Sequence, residues 1–354
     1  MSKGFLVLES GEVYEGVWHG GVARAGEVVF NTSHSGYEEI ATDPSYFSQI
    51  VVMTAPMQGN YGVSRQAWES RQLWIEGFVS LEIQKTKRDS SWCDQLLAAG
   101  IPLLSGLDTR QIVLRLRDLG TPWGALVPAE NATAAAALAK TLIEAKKQTD
   151  PDWVHLVSRR EVEILSGQVP TGPRVAVIDY GCKQNTLNEL QKKCSEVAVF
   201  PSRVPERVIR DWNPSGILLS NGPGDPSQVK ESVGTVRSLL GWKPVFGICM
   251  GNQILSLALG AKTYKLKFGH RGGNHPVRDL LLNRVYVTSQ NHGYAVDAAS
   301  LPTDTRVSHF NLNDGTVEGF ECAAKKCFSV QYHPESHPGP REARELFDYF
   351  LNGL

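Results

Sequence analysis

The chain has 354 residues, 42% of them hydrophobic, and a formal net charge of −1, which gives room for two cores at ~100–200 residues per domain. So neutral a chain carries no electrostatic argument for a nucleic-acid or membrane-surface partner, and its first apolar run, Phe5-Leu6-Val7-Leu8, is too short for a signal peptide or a membrane span. Six scattered cysteines do not resemble a disulfide framework and fit a reducing cytoplasm.

The N-terminal third reads as strands at residues 5–9, 11–17, 27–31 and 50–54, separated by glycine-rich turns. Over residues 108–119, Ile112, Leu116 and Leu119 recur at helical spacing. Arg110, Arg115 and Arg117 point elsewhere, onto either a solvated face or a partner surface. An alanine-rich helix spans about 133–146. Beyond it, the glycines and prolines of residues 166–173 neither pack nor continue an element, and they read as a linker. The expected division is a mixed β/α domain at 1–165, a linker at 166–173 and a second domain at 174–354.

In the second domain, residues 175–178, 197–200, 216–219 and 245–248 are near-continuous apolar runs with helical stretches between them. Strands covered on both faces look like this, so an α/β fold with a doubly wound, mostly parallel sheet is expected. Ligands of such sheets gather at the carboxyl ends of the strands. The loop at 220–226 begins at one such end, and its Gly222 and Gly224 let the backbone approach a ligand with N–H groups turned inward. The same composition also suits an ordinary tight turn. A phosphate loop is a poorer reading, because the lysine and Ser/Thr of that motif are missing.

Cys249 stands at another strand end, where the apolar run stops and Ile254, Leu255, Ala258 and Leu259 begin a helical pattern. Free cysteines are commonly just packed. Here Gly247 and Gly251 bracket the residue, which suits the sharp, strained turn of a nucleophile elbow, and a thiol at a helix N-terminus favours the thiolate. Gly224 and the amide of Met250 are the candidate oxyanion donors, and Gln253 looks out from the same helix face one turn on. Of nine histidines, His333 follows a strand at 328–332 that Pro334 ends. Glu335, two residues on, shares its face and can orient the imidazole as a base for the thiol.

Gly247-Ile248-Cys249-Met250-Gly251-Asn252-Gln253 with His333-Pro334-Glu335 resembles the signature of the class I glutamine amidotransferases. Within that family, residues 220–226, 267–276 and 290–293 are similar to the small, glutamine-hydrolysing chains of carbamoyl-phosphate synthase. The likeness continues through Asn31-Thr32-Ser33, Gly36-Tyr37, Thr42-Asp43-Pro44-Ser45-Tyr46 and Asp108-Thr109-Arg110, so it covers nearly the whole chain. The resemblance implies a catalytic triad of Cys249, His333 and Glu335, and a glutamine pocket from Ser45, Gly222, Gly224, Met250, Gln253, Asn291, Gly293 and Tyr294. It further implies no cofactor or metal held by this chain, and a large partner chain that uses ATP with magnesium. That partner would take the released ammonia through a tunnel and make carbamoyl phosphate from bicarbonate for pyrimidine and arginine biosynthesis. Three positions depart from the pattern: Asn252 replaces a common histidine, Met250 a leucine and Tyr294 a phenylalanine. Asn252, on the elbow helix, bears on coupling to the partner.

Two readings of other classes compete. Cys322, Cys327, His333 and His337 have zinc-like spacings, but only five residues separate Cys327 from His333, against roughly twelve or more in fingers, and residues 322–327 fit a hairpin. A non-catalytic scaffold is the other. A nearer alternative, an amidotransferase of another pathway, is opposed by the N-terminal half. The basic stretch 262–271 reads as a solvated loop or a docking site.

Overall fold

Contacts divide the chain between Asp150 and Pro151, and this computed structural model describes residues 2–354. The first unit carries β1 (Ser2–Leu8), β2 (Val13–Gly20), β3 (Arg24–Asn31), β4 (Gln49–Met53), β5 (Met57–Gln58), β6 (Gly77–Val79), β7 (Glu82–Ile83), β8 (Leu103–Ser105) and β9 (Trp123–Pro128). Seven of these close into a barrel in the order β1-β2-β8-β6-β4-β3-β9, with β9 returning to β1, while β5 and β7 pair separately. Within the barrel, pairing is parallel from β3 through β4 and β6 to β8 and antiparallel elsewhere, so the unit is mixed in direction as well as in element type.

Its helices are α1 (Tyr37–Thr42), α2 (Trp92–Ala98), α3 (Thr109–Leu119) and α4 (Ala132–Lys147). Side-chain caps set the starts of the last two: Asp108 accepts from Gln111 N at 2.9 Å and Asn131 from Ala134 N at 3.0 Å. Ile112 and Leu116 are buried, and Arg115 is paired with Glu12 at 2.5 Å. Ala135, Ala139 and Ile143, one turn apart along α4, pack on Phe5, Val7, Ala125 and Val127 of the barrel.

The second unit holds α5 (Trp153–Val157), β10 (Glu163–Ser166), β11 (Arg174–Asp179), α6 (Gln184–Gln191), β12 (Glu196–Pro201), α7 (Glu206–Trp212), β13 (Gly216–Leu219), α8 (Lys230–Leu239), β14 (Val245–Ile248) and α9 (Met250–Ala258). β15 (Thr263–Asp279), β16 (Arg284–Val296), β17 (Arg306–Asn311), β18 (Val317–Cys322), β19 (Cys327–Val330) and α10 (Glu345–Asn352) follow. One ten-stranded sheet runs β10-β12-β11-β13-β14-β19-β18-β16-β15-β17. Its core, β12-β11-β13-β14-β19, is parallel. Alternate residues show why those runs are apolar throughout. Val175 and Val177 pack with Leu187 and Leu190 of α6 and Phe347 of α10, whereas Ala176 and Ile178 pack with Val236 of α8 and Ile254 of α9. Helices on both faces leave no polar side.

Two expectations need correction. The 166–173 stretch is tied into the second unit: β10 pairs with β12, and Gly167 N, Gln168 N and Val169 N donate to Ser195, Gln191 and Cys194 carbonyls at 2.9, 2.7 and 3.1 Å. A side chain at Gly167 would overlap the Cys194 carbonyl, so this glycine marks close packing rather than freedom. The contact division accordingly falls earlier, at residues 150–151. The basic stretch 262–271 is mostly strand, since it opens β15, which pairs with β16 through two register shifts. An antiparallel extension with one wet face tolerates polar residues, and its bulges blur the alternation that would reveal it. Among the described residues, no helix is long and apolar enough to cross a membrane.

Candidate active site

Cys249 ends β14 and opens α9 with φ 54° and ψ −103°, and it is buried. An added Cβ on Gly247 would stand 2.7 Å from the Gly251 carbonyl oxygen, and one on Gly251 would overlap that of Leu219. Both glycines are therefore steric requirements of the bend. Hydrogen bonds pin it on two sides: Gly251 N donates to Ser220 O at 3.0 Å and Cys249 N to Val330 O at 2.9 Å. Gly251→Ala should push the β13 end outward and destabilise the fold by about 1–3 kcal/mol, read as a lower urea midpoint. An unchanged midpoint would mean that β13 yields freely.

Because β19 lies beside β14 and parallel to it, both strands deliver their carboxyl ends to one edge of the sheet. Cys249 leaves one strand there and His333 follows the other. His333 Nδ1 lies 2.7 Å from Glu335 Oε1, which leaves Nε2 for the thiol. That nitrogen makes no hydrogen bond of ordinary geometry, yet the sulfur lies near enough to act on it electrostatically. Burial would depress His333, but the Glu335 carboxylate and the Cys249 sulfur overcome that and raise it to about 10. Burial would likewise raise Glu335, and Lys183 and then His333 hold it down to about 2.

Lys183 is a group that the sequence reading missed. Its Nζ lies 3.2 Å from Glu335 Oε1, with both side chains buried, and it also donates to the Ser336 carbonyl. Nearby, Asn185 donates to the Glu335 carbonyl. Lys183 stands just past the carboxyl end of β11, where the strand-end rule could have singled it out. Asn221, in the 220–226 loop, ties this segment down by accepting from Lys183 N at 3.2 Å and donating to Gly181 O at 2.9 Å.

Around the thiol, Cys249 Sγ donates to Asn291 O at 3.6 Å, and Gln253 Nε2 donates to Tyr294 O at 2.9 Å. The stretch containing Asn291, Gly293 and Tyr294 thus lies along the elbow. Met250 is the first residue of α9, so its N–H is one of those a helix start leaves without an intrahelical partner. Gly222 sits against the Tyr180 carbonyl, too close for a side chain, and Gly224 has φ +89°. Asn252 points away from the sulfur into a buried network, donating to Gln331 Oε1 at 2.8 Å and accepting from Ser329 Oγ at 2.8 Å. Gln331 also takes a bond from Gln253 at 3.2 Å, so Asn252 is linked to Gln253 through it. Ser45 belongs to the first unit, in the one-turn helix Pro44–Tyr46, where Asp43 Oδ1 accepts from its N–H at 2.9 Å. Cys322 and Cys327 face each other across the β18–β19 turn inside an apolar cluster, and His333 is engaged with Glu335, so the zinc-like set does not come together.

Two family models match. Residues 176–352 fit the class-I glutamine amidotransferase model and residues 6–126 the CPSase domain of the carbamoyl-phosphate synthase small chain. Among curated relatives, the carbamoyl phosphate synthase small chain of Symbiobacterium thermophilum is 46% identical over 97% of this chain and 96% of its own. The protein of the same name from Methanopyrus kandleri is 45% identical over 98% and 97%, and that of Clostridium acetobutylicum 42% over 99% of each. With such likeness along its whole length, the chain belongs to the carbamoyl phosphate synthase small chain family, its second half a class-I glutamine amidotransferase domain.

Proposed function

We propose that this chain is the glutamine-hydrolysing subunit of carbamoyl-phosphate synthase, working through Cys249, His333 and Glu335. The observation that carries the reading is the strained cysteine at the head of α9, with a buried His333–Glu335 pair at the same sheet edge. The high basicity of His333 suits it to take up the thiol proton as the attack begins. The thiolate attacks the carboxamide carbon of L-glutamine, and the oxyanion meets the N–H groups of Met250 and Gly224, each such donor being worth ~10²–10³ in rate. His333 then gives its proton to the departing ammonia, and as the free base it activates the water that hydrolyses the glutamyl thioester. Glu335 holds the ring and stabilises its charge throughout.

Gly222, Gly224, Met250, Gln253, Asn291, Gly293 and Tyr294 are the proposed contacts for the substrate in the second unit. Ammonia in neutral water is mostly protonated and no longer a nucleophile, so it has to pass directly to a partner. That partner is a large synthetase chain consuming ATP, magnesium and bicarbonate in the cytoplasm, and the N-terminal domain is its docking module. The test is to express the tagged chain in its own host. It should co-purify with a large ATP-binding chain and release glutamate from glutamine. Retrieval without such a chain, or a complex inert toward glutamine, would overturn the reading.

A further inference from the structure

Behind the Asn291–Tyr294 stretch, three strands of the antiparallel extension bring together His270 of β15, His292 and Gln290 of β16, and Glu318 of β18, all buried. His270 Nδ1 lies 3.2 Å from His292 Nε2 and 3.4 Å from Glu318 Oε1. His292 Nε2 is also 2.9 Å from Gln290 Oε1. The outer partners decide which atoms carry protons. Asp314 Oδ2 lies 2.9 Å from His270 Nε2, and the Tyr294 carbonyl 2.8 Å from His292 Nδ1. Both are acceptors, so the outer nitrogens are N–H donors, and when the rings are neutral the inner ones carry lone pairs. Gln290 is fixed as well. Thr288 Oγ1 donates its only proton to His275 O at 2.8 Å and must therefore accept from Gln290 Nε2 at 3.1 Å, which turns the amide oxygen toward His292.

With both rings neutral, four acceptor atoms converge. Among the described residues, the Asn311 amide donates to them, 2.8 Å from Glu318 Oε1 and at the long limit of 3.5 Å from His270 Nδ1. Glu318 Oε2 has no hydrogen-bond partner. Lone pairs that close in a buried place repel unless something positive lies among them. Two ligands at 2.0–2.1 Å from a tetrahedral metal are about 3.3–3.4 Å apart, close to the 3.4 and 3.2 Å that separate His270 Nδ1 from Glu318 Oε1 and His292 Nε2, while Gln290 Oε1, at 2.9 Å from His292 Nε2, would move outward slightly. The outer bonds are those that orient metal-bound histidines, a carboxylate on one ring and a carbonyl on the other.

The geometry points to a binding site for a divalent cation of the zinc or cobalt type, with His270 Nδ1, His292 Nε2 and Glu318 Oε1 as ligands and Gln290 Oε1 as the fourth. This departs from the expectation of no metal, and it stands independently of the glutaminase reading. The ion would cross-link β15, β16 and β18 and stiffen the stretch whose Asn291 carbonyl meets the Cys249 thiol. Its role is structural, because all four positions are filled by protein.

The test uses the full-length chain carrying Cys249→Ala, so that the elbow thiolate cannot take up metal. After removal of metals with EDTA, it should bind about one equivalent of Zn²⁺ and give the visible spectrum of tetrahedral Co²⁺. Glu318→Gln and His270→Asn should lose that binding. Asp314→Asn, at a side chain 41% exposed and therefore safe for folding, should weaken it about 10–100-fold. No binding, or binding unaltered in these variants, overturns the proposal. So does histidine ¹⁵N NMR showing His270 protonated on both nitrogens and indifferent to added Zn²⁺, which would put a proton in the ion's place.

Discussion

Replacing Cys249 by serine in the assembled enzyme should abolish carbamoyl phosphate synthesis from glutamine, by about 10⁴-fold or more, and leave synthesis from added ammonium intact. Serine keeps the shape of the bend, because the φ of 54° is imposed by the clearances at Gly247 and Gly251 and not by the sulfur. What it removes is the ionisable thiol on which the proposed mechanism depends. A hydroxyl gives up its proton to His333 far less readily, and the helix N-terminus that helps a thiolate does far less for an alcohol. The two nitrogen sources separate the possibilities, since ammonium bypasses the thioester. If both syntheses fell equally, Cys249 would be holding the sheet edge together rather than breaking an amide.

Local sterics explain why the elbow was readable from its residues. A positive φ at a non-glycine between a strand and a helix demands small neighbours, and that demand is written within five residues, Gly247 to Gly251. The parallel core was readable for a similar reason, as burial on two faces leaves only apolar residues at 175–178, 197–200, 216–219 and 245–248, within β11 to β14. Where the physics was not local, the sequence was silent. β15 reads Lys265-Leu266-Lys267-Phe268-Gly269-His270-Arg271, and only pairing with β16 makes a strand of it. Gly167 reads as part of a linker because nothing nearby reveals the Cys194 carbonyl pressed against it. Lys183 and Glu335 lie in distant parts of the chain, and beyond its place at a strand end nothing marks a buried lysine until its carboxylate is found.

That lysine supports the last prediction. Lys183→Met leaves Glu335 buried beside His333 alone, and Glu335→Gln leaves the Lys183 ammonium buried without its carboxylate. Breaking a buried pair from one side costs about 3–5 kcal/mol, whereas removing both charges can be nearly neutral. The double variant should therefore be more stable in urea than either single variant, a coupling far outside the ~0.3–0.5 kcal/mol scatter of independent sites. Activity should behave differently. Glu335→Gln should lower kcat for glutamine hydrolysis about 10⁴-fold by freeing the His333 ring, and the double variant should not recover it. The acid limb should respond as well. Glu335 sits at about 2 against an ordinary 4.5, so its stabilisation is fully present above pH 4.5 and is lost as pH falls through about 2. Without Lys183 the folded value rises, and acid unfolding should begin at higher pH. Additive urea midpoints with an unmoved acid limb would show that water, not Lys183, neutralises Glu335, and the carboxylate would then be free to orient His333 without it.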